Sequence, residues 1–259
     1  MSQTESGKKT FRLGVLYPGD RTDTQILHLD QWLPAHSFAG VDTMLEFVPS
    51  RGGHGRQALT DLGGRDSLLP RAMTLAKAGC HAIVWACTSG SFIGGIAWAR
   101  DQAKMLTAET GLPATSATLA MVEAARAINA RRADVLGAYP EPITATFIEC
   151  LRDCGVRVVD TDSLNAPDGL ASFKLDIVGE MERFSKRCGK RMYPVFLPDT
   201  ALDTLNILDK LEQVAGRQVI TASQACVWHS LMLLGIRPKA ENAGSLFRLS
   251  APAVKAAAR

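Results

Sequence analysis

Ala82-Ile83-Val84-Trp85-Ala86-Cys87-Thr88-Ser89-Gly90-Ser91-Phe92-Ile93-Gly94-Gly95 is a short apolar run that stops on a cysteine and continues into small hydroxyl residues and glycines. Ala82 to Ala86 has the length of a buried strand, and a helical stretch follows, so the segment reads as strand, turn, helix. That turn aims the Cys87 thiol at the open end of a sheet. The amides that start the next helix point the same way, which can hold an anion beside a nucleophile. The competing reading is an inert strand-end cysteine, because unpaired cysteine is among the most buried residue types.

The same alternation extends in both directions. Arg12 to Tyr17 reads as a strand ended by Pro18-Gly19, and Thr43 to Val48 as a second strand. Asp66 to Ala78 reads as a helix with Leu68, Leu69, Ala72, Leu75 and Ala76 on one face and Gly79 as its stop. Helices follow from about Gly94 to Thr110 and from Ala117 to Asn129. The pattern then restarts. Strands are expected at Asp134 to Tyr139, Val156 to Thr161, Tyr193 to Leu197 and Gln218 to Thr221. Helices are expected at Pro142 to Cys154, Leu175 to Cys188, Ala201 to Ala215 and Ala225 to Leu234. Such alternation implies parallel α/β layers, which bind ligands beyond the carboxyl ends of their strands.

The restart carries an echo. Leu16-Tyr17-Pro18-Gly19-Asp20 closes the first strand, and Ala138-Tyr139-Pro140-Glu141-Pro142 closes its counterpart 122 residues later. The run from Ile83 to Thr88 has an echo in Pro194 to Thr200, which sets Cys87 against Asp199 at an offset of 112. Offsets of this kind also arise by chance in α/β chains. As a true repeat, they make two alike lobes that face each other, with Cys87 and Asp199 at equivalent strand ends across one cleft.

A thiol and a carboxyl on opposite sides of a small substrate form a two-group acid-base device. Thr88, Ser89 and Thr200 could supply oxyanion donors. Tyr139 could donate its phenol, and Tyr17 at the matching end is the weaker candidate; either could instead be a strand-end aromatic covering the core. Arg21 and Arg51 sit in loops after strand ends, where either could meet a carboxylate. Asp199 would also make an N-cap for a helix beginning at Ala201. Cys226 reads as core. His54, in Gly52-Gly53-His54-Gly55, reads as a solvated loop histidine. Cys150 and Cys154 read as packing residues, because no histidine or second cysteine pair accompanies them.

Composition narrows the classes. The 259 residues are 46% hydrophobic and 21% charged with a net charge of +3, values of a soluble globular chain. No basic block points to nucleic acid, and no apolar run is long enough to span a membrane. Six cysteines in a chain this long do not make a disulfide framework, so a cytoplasmic protein with reduced thiols is expected.

Val84-x-x-Cys87-Thr88-Ser89-x-Ser91-Phe92 and the later Thr221-Ala222-Ser223-Gln224-Ala225 resemble the maleate cis-trans isomerase and arylmalonate decarboxylase branch of the aspartate/glutamate racemase superfamily. The resemblance runs from Leu13 to about Gly235. It implies two pseudo-symmetric Rossmann-like lobes, each a parallel sheet flanked by helices, with the active site in the interlobe cleft and no cofactor or metal. The expected lobes are 1–120 plus 222–259 and 121–221. The resemblance maps Cys87 onto the first catalytic cysteine and Thr88, Ser89 and Tyr139 onto a dioxyanion hole. Two departures stand out. Asp199 replaces the second cysteine of the isomerases and racemases, and no asparagine follows Pro18. The expected function is a cofactor-independent isomerase of a small unsaturated dicarboxylate, with Cys87 as nucleophile and Asp199 as acid-base partner. The alternatives are a decarboxylase in which Cys87 protonates an enediolate, and a non-catalytic small-carboxylate binding protein. A homodimer is the default assembly.

Overall fold

The computed structural model describes residues 10–19 and 22–249. In chain order, the first half contains β1 (Phe11–Pro18), α1 (Leu29–Ala35), β2 (Val41–Val48), α2 (Arg56–Leu62), α3 (Arg65–Lys77), β3 (Ala82–Trp85), α4 (Thr88–Phe92), α5 (Gly95–Thr110), β4 (Ala114–Ser116) and α6 (Ala117–Ala127). The second half contains β5 (Arg132–Gly137), α7 (Glu141–Asp153), β6 (Arg157–Ser163), α8 (Gly169–Phe173), α9 (Ile177–Cys188), β7 (Val195–Leu197), α10 (Leu208–Ala215), β8 (Val219–Thr221) and α11 (Ala222–Leu233). The two sheets run β2-β1-β3-β4 and β6-β5-β7-β8, with every pairing parallel. The second order is the first advanced by four strands, so the repeat is a structural one and the two-lobed α/β expectation holds.

Strand alternation sorts side chains between layers. Leu13, Val15 and Tyr17 of β1 enter a large central core, while Leu16 enters a smaller cluster with Leu68, Ala72 and Leu75 of α3. The equivalent outer cluster of the second lobe gathers Met181 and Phe184 of α9 with Leu211 of α10. The central core takes Val84 from one sheet and Phe196 from the other, so both lobes share it. At its middle the equivalent helices α6 and α11 pack together. Ala120 and Ala124 on one and Ala222 and Ala225 on the other are small enough for close approach. α11 is buried on nearly every face, with small or apolar residues at most of its positions.

Three expectations need correction. No helix starts at Ala201; α10 begins only at Leu208, and turns fill the interval. Asp199 has φ 141°, which turns the chain off a helical path. Asp203 then accepts the Gln25 N–H at 2.9 Å, and Thr204 Oγ1 bonds Thr221 Oγ1 at 3.1 Å, so this segment serves neighbouring elements. Second, α1 and α2, each seven residues long, escape periodicity because two turns give too little pattern. Third, the helix expected from about Gly94 to Thr110 is α5, but the turn expected before it is itself a short helix, α4. Gly95 at φ 81° breaks α4 from α5. Among the described residues, no helix is long and apolar enough to cross a membrane.

One half-buried base gives the fold a pH dependence. His229 of α11 lies with Nδ1 3.0 Å from Thr115 Oγ1 of β4, and burial pushes its pKa down to about 4. The unfolded chain binds a proton near pH 6.5, the folded chain only near 4, so unfolding takes up a proton between these values. Stability should therefore be full above about 6.5 and decline as pH falls to about 4. The loss from this group is at most about 3 kcal/mol. Urea unfolding of wild type and His229→Gln across that range checks this. The variant should show a flatter acid limb, and identical limbs would remove His229 as the cause.

Candidate active site

Two residues past β3 stands Cys87, and two residues past β7 stands Asp199. The ends of β1 and β5 supply Tyr17 and Tyr139. These are the strand ends at which a doubly wound sheet changes direction and leaves a crevice for ligand. Cys87, Asp199, Tyr17, Ser89 and Thr200 all line one cavity of about 30 Å³. At roughly 10–15 Å³ per water, that is room for two or three waters.

Cys87 is the N-cap of α4, and the Gly90 N–H donates to its Sγ at 3.3 Å. A donor at this distance favours negative charge on sulfur. The approach requires glycine, since a Cβ on residue 90 would stand 3.1 Å from Sγ and 3.2 Å from the Trp85 ring. α4 is clamped from behind. The Gly90 carbonyl accepts from Trp98 Nε1 and Gln102 Nε2, both at 3.0 Å, and Thr118 Oγ1 donates to the Thr88 carbonyl at 3.2 Å. The thiol therefore sits on a rigid platform.

Thr88 Oγ1 and Tyr139 Oη are both buried and neither makes a well-formed hydrogen bond among the described residues, although the Thr88 and Ser89 hydroxyls lie near enough to act on the phenol. Burial pushes the Tyr139 phenol well above its ordinary value; the nearby Asp199 and Cys87 add to this, and the Thr88 and Ser89 hydroxyls oppose it. The phenol thus stays a proton-bearing donor. Other buried polar atoms, such as Ser223 Oγ and Ser230 Oγ, are unpaired too, so what sets the Thr88 and Tyr139 hydroxyls apart is their place beside Cys87.

Asp199 is 5% exposed, and its Oδ1 accepts the Ala201 N–H at 2.9 Å. It caps its own turn, and the expected helix N-cap role falls with the missing helix. It faces the same cavity as Cys87 nonetheless. Thr200 Oγ1 donates to the Ala86 carbonyl at 2.9 Å across the lobes, which uses the hydroxyl proton expected for an oxyanion. Tyr17 Oη lies 2.7 Å from Thr22 Oγ1 and contributes cavity wall. Arg21 lies outside the described residues. Arg51 is exposed and does not line the cavity. Cys150 and Cys226 are core residues, none of the six cysteines is in a disulfide, and no metal-holding cluster of His, Cys, Asp or Glu exists among the described residues.

His54 was expected in solvent and is 8% exposed. Its backbone N–H donates to the Pro167 carbonyl at 2.7 Å, and Nδ1 lies 2.8 Å from the Ala166 carbonyl, both on the opposite lobe. Its ring meets Tyr139 edge to face at 4.7 Å. Gly52 and Gly53, at φ 76° and 86°, let the loop fold over the cavity. The glycine-flanked histidine was visible in the sequence, but its second-lobe partners were not.

A family model described as arylmalonate decarboxylase matches residues 64–247. The maleate isomerase of Geobacillus stearothermophilus is 25% identical over 245 residues, covering 92% of this chain and 97% of that protein. The maleate isomerase Iso of Pseudomonas putida S16 superposes with a TM-score of 0.81 at 21% identity, over 92% of this chain and 98% of that one. A mutant Nocardia farcinica maleate cis-trans isomerase with a covalently bound succinylcysteine intermediate gives a TM-score of 0.81 at 19% identity, over 93% and 100%. A mutant of arylmalonate decarboxylase in a liganded form gives 0.80 at 22%, over 92% and 99%. At these identities the structural likeness speaks for the fold.

Removing a buried hydroxyl that lacks a well-formed hydrogen bond should cost the fold little. Tyr139→Phe and Thr88→Val should match or exceed the wild-type urea midpoint. A loss above about 1 kcal/mol would mean that these hydroxyls are bonded in the folded protein.

Proposed function

The chain belongs to the arylmalonate decarboxylase family, and from that premise we propose that it is a cofactor-independent cis-trans isomerase of a small unsaturated dicarboxylate such as maleate. The observation that carries this reading is the pairing of Cys87 and Asp199 at equivalent strand ends of one cavity.

The Cys87 thiolate adds to one alkene carbon. A C–S bond forms, and the π pair moves through the other alkene carbon into its carboxylate as an enediolate. Asp199, as the carboxylic acid, delivers a proton to that carbon and leaves a succinyl thioether. The former double bond is now single and rotates. Asp199 takes the proton back, the C–H pair re-forms the alkene in the trans geometry, and the C–S bond breaks to return the thiolate. No net proton or electron is consumed. Hydroxyl donors at Thr88, Ser89 and Tyr139 meet the enediolate oxygens, and the Gly90 N–H supports the thiolate before and after addition. The acid form of Asp199 is also the form that does not repel the substrate's own charge.

A second reading rests on the description of the matched family. As a decarboxylase, the enzyme would release carbon dioxide from a malonate-type acid, and Cys87 would hand a proton to the resulting enediolate.

Incubation with maleate, followed by proton NMR and intact-protein mass spectrometry, tests the first reading. The expected result is fumarate, with an adduct of one intact dicarboxylate on Cys87. Carbon dioxide from an arylmalonate with no fumarate from maleate would replace it by the second. Asp199→Asn keeps the bond to the Ala201 N–H but cannot carry the proton. It should fold normally and lose about 10²–10⁴ in kcat. Unchanged turnover would remove Asp199 from the mechanism.

A further inference from the structure

A doubly charged substrate needs a positive counterpart, and the cavity offers few. Among the described residues lining it, His54 is the only basic side chain, and Asp199 is the only acidic one. Arg56, next on that loop, is spent elsewhere, donating to the Ile93 carbonyl at 2.9 Å and to Thr146 Oγ1 at 3.2 Å.

The ring of His54 is fixed in place. Nδ1 sits 2.8 Å from the Ala166 carbonyl, which can only accept, so Nδ1 carries the hydrogen. The Tyr139 ring holds the imidazole edge to face. Among the described residues, the His54 ring is bonded through Nδ1 and not through the remaining nitrogen, Nε2. The same tether joins the loop before α2 to the loop before α8, so His54 reaches this position only when the two lobes' loops are closed on each other.

We propose that His54 Nε2, as an N–H donor, receives the substrate's second carboxylate, the one turned away from Thr88 and Ser89. This deepens the isomerase reading and rests on it for the dicarboxylate class. It makes His54 the residue that selects two carboxylates over one. The charged and titratable neighbours are Asp199, Cys87 and Tyr17 in the cavity, Tyr139 packed against the His54 ring, and Asp168 on the facing loop. The Asp168 carboxylate is engaged with the Ala171 N–H at 2.8 Å.

The test is binding, measured by calorimetry with succinate and butyrate, which have no alkene for Cys87 to attack. The probe variants are His54→Asn and His54→Gln. The asparagine amide reaches the place of Nδ1 and keeps the tie to the Ala166 carbonyl, but nothing replaces Nε2. The glutamine amide reaches the place of Nε2. In His54→Asn, succinate affinity should fall by about tenfold or more, with butyrate unchanged. His54→Gln should recover part of the difference. Equal losses for both ligands would make His54 only a loop latch, and no loss for either would remove it from the site; both overturn the proposal. Isomerisation of maleate without selective loss in His54→Asn would keep the reaction and discard this role. Selective loss in a protein that never turns maleate over would keep this role and discard the reaction.

Discussion

The Thr200 hydroxyl donates to the Ala86 carbonyl at 2.9 Å and ties the end of β7 to the end of β3. The residues beside this bond are Cys87 and Asp199, so it sets where a thiol and a carboxyl stand relative to each other. It is short-range, but it closes a loop of more than a hundred residues. The shared core makes that closure affordable. Packing α6 against α11 holds the sheets together, and the hydrogen bond fixes the two strand ends relative to each other. Without the core the bond would be far too weak to order the lobes, since one neutral hydrogen bond nets about 1 kcal/mol. Without the bond the core would leave the two strand ends less closely defined.

Charge balance inside the cavity follows from that geometry. Desolvation strengthens every interaction between the groups it encloses, for better or worse. The Tyr139 phenol responds by holding its proton more tightly, because both burial and the neighbouring Asp199 and Cys87 disfavour a phenolate. That keeps a donor aimed at the site across a wide pH range. The orphan hydroxyls of Thr88 and Tyr139 cost folding free energy in the absence of a partner, and a partner oxygen on a bound ligand would return it. The donors are thus in place before any charge develops, which is the arrangement that lowers a barrier most.

Much of this was legible in the sequence because it is local. β3, the α4 turn and Cys87 come from a few contiguous residues, and the strand order follows from an alternation that repeats once. The pairing of Cys87 with Asp199 was legible only through that repeat. What failed was non-local or short. The segment after Asp199 has helix-forming composition, yet Asp203 and Thr204 are drawn to Gln25 and Thr221, contacts with no trace in local pattern. His54 lies among glycines, a context that normally means solvent, and its burial depends on carbonyls 112 and 113 residues away. Thr200 looked like an oxyanion donor until its acceptor on the other lobe was known.

Asp199 shows how one residue can carry opposing demands. A φ of 141° is a conformation that side chains resist, and holding it costs on the order of 1–3 kcal/mol. The residue partly offsets this itself, through Oδ1 and the Ala201 N–H two positions on, a turn that a short side chain with a strong acceptor can close. A cysteine at the same place has only a weak acceptor, so a change from thiol to carboxyl alters the backbone's support as well as the chemistry. The carboxyl is thereby fixed by its own backbone. Its reach toward the cavity is set by the strained turn and not by side-chain flexibility, which is the condition an acid-base group needs to meet one carbon atom in two successive steps.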